Sequence, residues 1–315
     1  MPWLLCRISE EGQTEEGTTE WTLHEGVEIS DEEKDRLLNS LKILEEDAEQ
    51  EPRNLVLRNF QDMFWYKGHL VQEYEALVQV PEVNPLRRLA SELRGRLFHW
   101  LQSVRAYLDH TETRLKRRYG ADSNEVATFK QVCAAVFDRY FAYRFLHRLR
   151  NAQHVDFSPV EVSVSESVGP SGREISASAR FVRDELLNKF RKWGSVKEEL
   201  AEFPETFSLD EHVITMMQCL DVIAHEVASI ERPHLEEQSQ TVAEFHARVP
   251  HGRGVPALVW LPPEGEPLRR MQHRVLPMVK LKNPEPVPDI VGRPSGRGDD
   301  WDIYRYEPPE QTASN

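Results

Sequence analysis

Phe137-Asp138-Arg139-Tyr140-Phe141-Ala142-Tyr143-Arg144-Phe145-Leu146-His147-Arg148-Leu149-Arg150-Asn151-Ala152-Gln153-His154 is the stretch on which the fold turns. Phe137, Phe141, Phe145, Leu149 and Ala152 recur at steps of four and three, the repeat that gathers side chains on one face of an α-helix. The pattern predicts a single helix with that apolar stripe turned inward. His147, Arg150, Asn151 and His154 fall at i, i+3, i+4 and i+7 and make a second stripe. A solvated face ordinarily mixes Glu and Lys. This one offers groups that bind phosphate and move protons, and it is the candidate site.

Upstream, Leu86, Leu89, Leu93, Leu97, Trp100, Leu101, Val104, Leu108 and Leu115 predict a long helix. Pro85 suits its first position, and Arg114, Lys116, Arg117 and Arg118 precede a stop at Gly120, cations at the negative end of the dipole. Before it, Val56, Phe60, Phe64, Val71, Tyr74 and Val78 predict a helix from about Arg53 to Val80, weakened at Gly68. Ser30-Asp31-Glu32-Glu33 is a capping box that opens an acidic helix through Leu37, Leu38, Leu41 and Leu44. Residues 1–29 read equally as short strands or coil.

Downstream the period changes to two. Val160, Val162 and Val164 alternate with polar residues, Gly169-Pro170-Ser171-Gly172 is a turn, and Ile175, Ala177 and Ala179 alternate again, which predicts a β-hairpin. Helices are expected at Arg183–Trp193 and Val196–Glu202, then from the capping box Ser208-Leu209-Asp210-Glu211 to about Ile230, with Pro233 opening a last helix to Val249. Pro256–Leu261 has the makings of a short strand, and 282–315 lacks periodicity. The expected class is therefore mainly α: an up-down helical bundle with an inserted β-hairpin and a second small helical block. The boundaries read as 1–29, a mixed N-terminal segment; 30–154, the bundle with its acidic first helix; 155–180, the hairpin; 181–250, the C-terminal helical block; and 251–315, a Pro/Gly-rich tail.

The formal charge of −14 argues against a general polyanion binder, but it is unevenly spread. Residues 10–51 hold sixteen Asp/Glu against three Lys/Arg, whereas residues 86–150 hold fourteen Lys/Arg against six Asp/Glu. Mutual attraction of the two regions is one reading and a basic binding surface is the other. Cys6, Cys133 and Cys219 make no paired motif and read as buried thiols. The start of the chain lacks the basic and apolar regions of a signal peptide, and no apolar run approaches the roughly 20 residues of a membrane helix. A soluble, cytoplasmic protein with no membrane partner is the default expectation.

The loops and motifs of nucleotide binding, zinc proteolysis and serine hydrolysis are missing. His147 and His154 stand two turns apart, so a metal would need His110 or Asp109 from another helix, and neither a metal nor a cofactor is assigned. Arg150 suits a phosphate, Asn151 suits a hydroxyl or phosphate oxygen, and His154 suits proton transfer near neutrality. Together they suffice for metal-free RNA cleavage, in which the 2′-hydroxyl attacks the adjacent phosphate. Two other readings of the same residues stand beside it. In one, Arg150 pairs with Asp109 or Glu112 and His154 caps helix carbonyls; in the other, an Asp109/His110 pair faces His147 and His154 in an enzyme of another class.

Arg-Asn followed by His at the end of a long helix resembles the HEPN superfamily, whose ribonucleases carry Arg, four to six residues, then His. Tyr107-Leu108-Asp109-His110-Thr111-Glu112 and Leu149-Arg150-Asn151-Ala152-Gln153-His154 also resemble uncharacterised bacterial helical proteins, over roughly residues 85–230. The resemblance implies a metal-independent endoribonuclease in a toxin or phage-defence setting, with a composite site across a homodimer and RNA as partner. Arg150, Asn151 and His154 would be its catalytic residues, with His147, Asp109, His110 and Glu112 in support. Three residues separate Arg150 from His154, one fewer than the superfamily spacing; Arg148 stands at a permitted spacing but is followed by Leu149.

Overall fold

Strand pairing between the two ends of the chain and a run of helices in its middle divide the protein into two units. A computed structural model describes residues 3–13, 19–49, 51–80, 84–152, 159–169, 172–261 and 272–276. One unit draws on Met1–Gln50 and Ala228–Pro284, the other on Glu51–Val227. The described residues are mainly helical, with two small antiparallel sheets.

In the terminal unit, β1 (Trp3–Gln13) pairs with β2 (Thr19–Ile29) and, on its other edge, with β6 (Val255–Trp260), which pairs with β7 (Gln272–Val275). The sheet order is β2-β1-β6-β7. Alternation along β1 and β6 sends Leu5 and Leu258 to one face, packed with Leu37, Leu41 and Leu44 of α1 (Asp31–Glu49) and with Leu235, Val242 and Phe245. Cys6, Ile8, Ala257 and Val259 go to the other face, under Trp21 and Leu23. The capping box closes as expected: Ser30 N donates to Glu33 Oε2 (2.9 Å) and Glu33 N to Ser30 Oγ (3.1 Å). The acidic helix, expected in the bundle, packs on a sheet in this unit, and the short strand expected at Pro256–Leu261 is present as β6, an inner strand of that sheet and not part of a tail. Residues 277–315 lie outside the described residues.

In the central unit, α2 (Glu51–Gly68) and α3 (Leu70–Val78) replace the one helix expected up to Val80. The break falls at Gly68 and His69, whose Nδ1 bonds the Trp65 carbonyl (2.7 Å) and so competes for an acceptor of the helical ladder. α4 (Pro85–Tyr119) starts as predicted, with Asn84 Oδ1 accepting from Arg87 N (3.0 Å) and Pro85 at its first position. It buries Leu89, Leu93, Leu97, Trp100, Leu101 and Val104. Then follow α5 (Asn124–Arg139), α6 (Phe141–Leu149), a 3₁₀ turn over Arg150–Ala152, β3 (Val160–Gly169), β4 (Gly172–Val182), α7 (Arg183–Lys189), α8 (Val196–Ala201) and β5 (Thr206–Ser208). The predicted hairpin is present, Gly169 facing Gly172, and β5 extends it to three strands.

α9 (Leu209–Arg248) supplies residues to both units and runs unbroken through Pro233, where a new helix was expected. Proline inside a helix costs about 3 kcal/mol. Burial of Ile223 and Val227 before it and of Leu235, Val242 and Phe245 after it, each worth about 1.5–3 kcal/mol, outweighs that. By length and composition alone α9 is long and apolar enough to cross a membrane, and 44% of its most apolar stretch is buried inside the protein.

Candidate functional site

The stretch expected to form one helix bends at Tyr140, whose backbone is extended (φ −109°, ψ 114°) and which ends α5 and begins α6. Arg144 explains the bend. Its buried guanidinium donates through Nη1 to the carbonyls of Phe137 (2.8 Å) and Asp138 (2.6 Å), in the last turn of α5, and through Nη2 to Glu199 Oε2 (2.7 Å). A cation at the negative end of α5 takes acceptors that a continuing helix would have used.

The bend splits the predicted apolar stripe. Phe141 and Phe145 enter an aromatic cluster: Phe145 meets Phe181 at 5.0 Å, Trp193 at 5.6 Å, Phe207 at 5.7 Å and His212 at 5.9 Å between ring centres. Phe137 turns the other way and stands edge-on to His147 at 5.8 Å. His212 is the centre of the cluster, its Nδ1 bonded to the Ser208 carbonyl (2.7 Å), and burial pushes its pKa down.

On the Phe137 side, α4, α5 and α6 surround a cavity of about 380 Å³. α4 presents Arg105, Asp109 and Glu112 to it, at i, i+4 and i+7; α5 presents Phe129, Lys130, Cys133 and Phe137; α6 presents Tyr143 and His147, one turn apart. Arg105 Nε pairs with Asp109 Oδ2 (2.6 Å), and Glu112 Oε1 pairs with Lys116 (2.7 Å) and Lys130 (3.5 Å). The Lys116 bond holds the Glu112 carboxyl below its usual range. Burial, with the nearby Glu112 charge, pushes the Cys133 thiol up to about 12, so it is no nucleophile at neutral pH. Burial likewise raises the Tyr143 phenol.

His147 carries the electrostatic signature of the site. Burial first, then the cations of Arg150, Arg105 and Arg148, lower its pKa to about 4 against a weaker opposing pull from Asp109. It is neutral at physiological pH, and its buried Nδ1 has no hydrogen-bond partner. Arg150 sits at the end of α6, half-buried, in the field of Arg105 and Asp109; its Nη2 donates to Asn151 Oδ1 (3.1 Å), and Asn151 is exposed.

The structure thus brings His147, Asp109 and Glu112 into one cavity with Arg150 beside them. His110 is exposed and does not line it, since consecutive residues on a helix diverge by about 100°. His154 lies outside the described residues. The common face expected for Arg150 and His154 assumed a continuous α-helix; α6 ends at Leu149 and a tighter 3₁₀ turn follows over Arg150–Ala152, the last described residues before His154. Arg105, Lys130 and Tyr143 were not anticipated as site residues. The spacing of Arg105, Asp109, Glu112 and Lys116 along one face of α4, and of Tyr143 and His147 on α6, was the available signal. Among the described residues, no group of three or more His, Cys, Asp or Glu is disposed to hold a metal ion. No protein-family model, curated protein or solved structure matches the chain.

Proposed function

We propose that the chain is a HEPN-like, metal-independent endoribonuclease whose central helices form an up-down bundle, and that Arg150, Asn151 and His154 act on RNA. Arg150 holds the scissile phosphate, Asn151 orients it, and His154 takes the proton from the 2′-hydroxyl and returns it to the departing 5′-oxygen, leaving a 2′,3′-cyclic phosphate. The observation that carries the reading is Arg150 at the end of α6 beside a neutral His147, with Arg105 in the lining of the open cavity next to it. Such a cluster attracts a phosphodiester, whose charge would in turn favour protonation of His147. A cytoplasmic homodimer acting in toxin or phage-defence chemistry is the setting that goes with it.

Cleavage of single-stranded RNA in the presence of a chelator tests the proposal. Arg150→Ala and His154→Ala should each lower the rate by about 100-fold or more, the usual scale of a lost acid–base or charge-stabilising group. Activity that survives both substitutions sinks the proposal. One observation favours a second reading, a non-catalytic helical interaction protein: Arg150 spends a hydrogen bond on Asn151, and Asp109 and Glu112 are paired within α4 and with α5. That protein would cleave nothing, and Asn151→Ala would show itself only as a lower melting temperature.

A further inference from the structure

The cavity between α4, α5 and α6 is larger than a phosphate requires and has the wrong walls for one. Its volume, about 380 Å³, falls in the range of small-molecule pockets. Leu108, Phe129, Ala134 and Phe137 give it apolar lining, and Phe137 is only half-buried, so its ring is available to a flat ligand. The Asp109 and Glu112 carboxylates line it as well, beside Arg105 and Lys130, the cations they pair with. Asp109 engages Arg105 through Oδ2, and Glu112 engages both of its lysines through Oε1, which leaves Oδ1 and Oε2 as acceptors for whatever enters. A carboxylate has only acceptors to offer. His147 belongs to the lining too, with its Nδ1 buried and without a partner.

We infer that this cavity seats a nucleobase that carries an exocyclic amine (guanine, adenine or cytosine), its ring against Phe137 and its amino edge toward Asp109 and Glu112. Each of those bases presents N–H donors that a carboxylate can accept. Uracil presents two carbonyl oxygens flanking one N–H, and those oxygens would face carboxylate oxygens. Neutral His147 donates or accepts at Nε2 according to its tautomer, and so matches a ring nitrogen or carbonyl of the seated base. The inference rests on the ribonuclease reading for the source of the base: His147 and the phosphate site at Arg150 are three residue steps apart, about 4.5 Å along the helix axis, within the reach of one nucleotide. What it adds is selectivity, by residues outside the cleavage motif.

Calorimetric binding of GMP, AMP, CMP and UMP to the full chain in chelator-containing buffer tests it. GMP, AMP and CMP should each bind at least about tenfold more tightly than UMP, less than a single charge-assisted hydrogen bond can supply. Asp109→Asn and Glu112→Gln, which keep size and add a donor, should shrink that difference to about threefold or less. Phe137→Ala should weaken all four nucleotides together. Equal affinity for UMP, a preference for it, or no binding of any of the four at millimolar concentration overturns the inference. The two failures are separable. A nucleotide preference without RNA cleavage sinks the nuclease reading and leaves the pocket, whereas cleavage with no preference among the nucleotides sinks the pocket alone.

Discussion

Arg144→Met is the substitution that most directly tests how the site is built. The Arg144 side chain is 7% exposed and makes three charge-assisted bonds, two to carbonyls at the end of α5 and one to Glu199. Removing one partner of a buried ion pair costs about 3–5 kcal/mol when the other is left stranded. Glu199 is 36% exposed and rehydrates, which puts the expected loss near the bottom of that range, about 3 kcal/mol. For a unit of this size that corresponds to a fall of roughly 6–12 °C in its melting temperature. Glu199→Gln keeps an acceptor in place and should cost under about 1 kcal/mol. Arg144→Lys keeps the charge, but an ammonium cannot span two carbonyls and a carboxylate, and about half of the full loss is expected. Urea denaturation followed by circular dichroism measures all three. The bend also holds Phe137 against His147, so Arg144→Met should move the His147 titration, followed by its imidazole proton resonances, upward from about 4 toward 6.5 as the pocket loosens. A variant within about 0.5 kcal/mol of the parent, with the His147 titration unmoved, would refute the role given to Arg144.

Phe145→Ala should destabilise the central unit by about 3–5 kcal/mol and Phe137→Ala by clearly less, about 1–2, because the bend puts the first ring in the core and leaves the second half-exposed; equal losses in urea melts would argue for one continuous helix. Stability should also fall with acid. The folded pKa of His147, about 4, lies below its unfolded value near 6.5, so the unfolded chain binds the proton first: stability is full above about pH 6.5 and declines until about pH 4. With a discount for partial exposure the loss is roughly 1–2 kcal/mol, and His147→Gln should remove that part of the difference between melts at pH 7.5 and pH 4.5. In the terminal unit, Gly254 has φ +89° and a Cβ there would lie 2.4 Å from the Ile8 carbonyl oxygen, so Gly254→Ala should cost about 3 kcal/mol or prevent folding, read as loss of soluble protein or of the thermal transition.

Local signals were legible in the sequence wherever a few neighbouring residues decide the outcome. The capping box at Ser30, the Asn84–Pro85 start of α4 and the Val160–Ala179 alternation each describe contacts closed within a few residues or across one tight turn, and each is seen in the structure. What escaped depends on partners distant in the chain. Residues 3–13 look ambiguous because a strand that completes their sheet is Val255–Trp260, and the alternation there suggests a strand without showing what it pairs with. Periodicity is equally silent about α9 at Pro233, where burial on both sides overrides a local penalty.

The bend at Tyr140 is the case that matters for function. Nothing between Phe137 and His154 breaks a helix by composition: there is no Gly and no Pro, and the three- and four-residue repeat runs straight through. The break comes from a fourth participant, Glu199, which with the two α5 carbonyls gives the Arg144 guanidinium a complete set of acceptors only if the helix stops. A repeat in the sequence shows which residues can share a face; it does not show whether the backbone between them stays regular. Had the helix continued, Phe137 would sit in the core, and the wall it gives to the α4–α5–α6 cavity would be missing. The interruption of regular structure and the cavity are therefore one feature, produced by a buried arginine at the end of α5. It makes Arg144, which touches neither phosphate nor base in the proposed chemistry, the positioning residue on which the pocket depends.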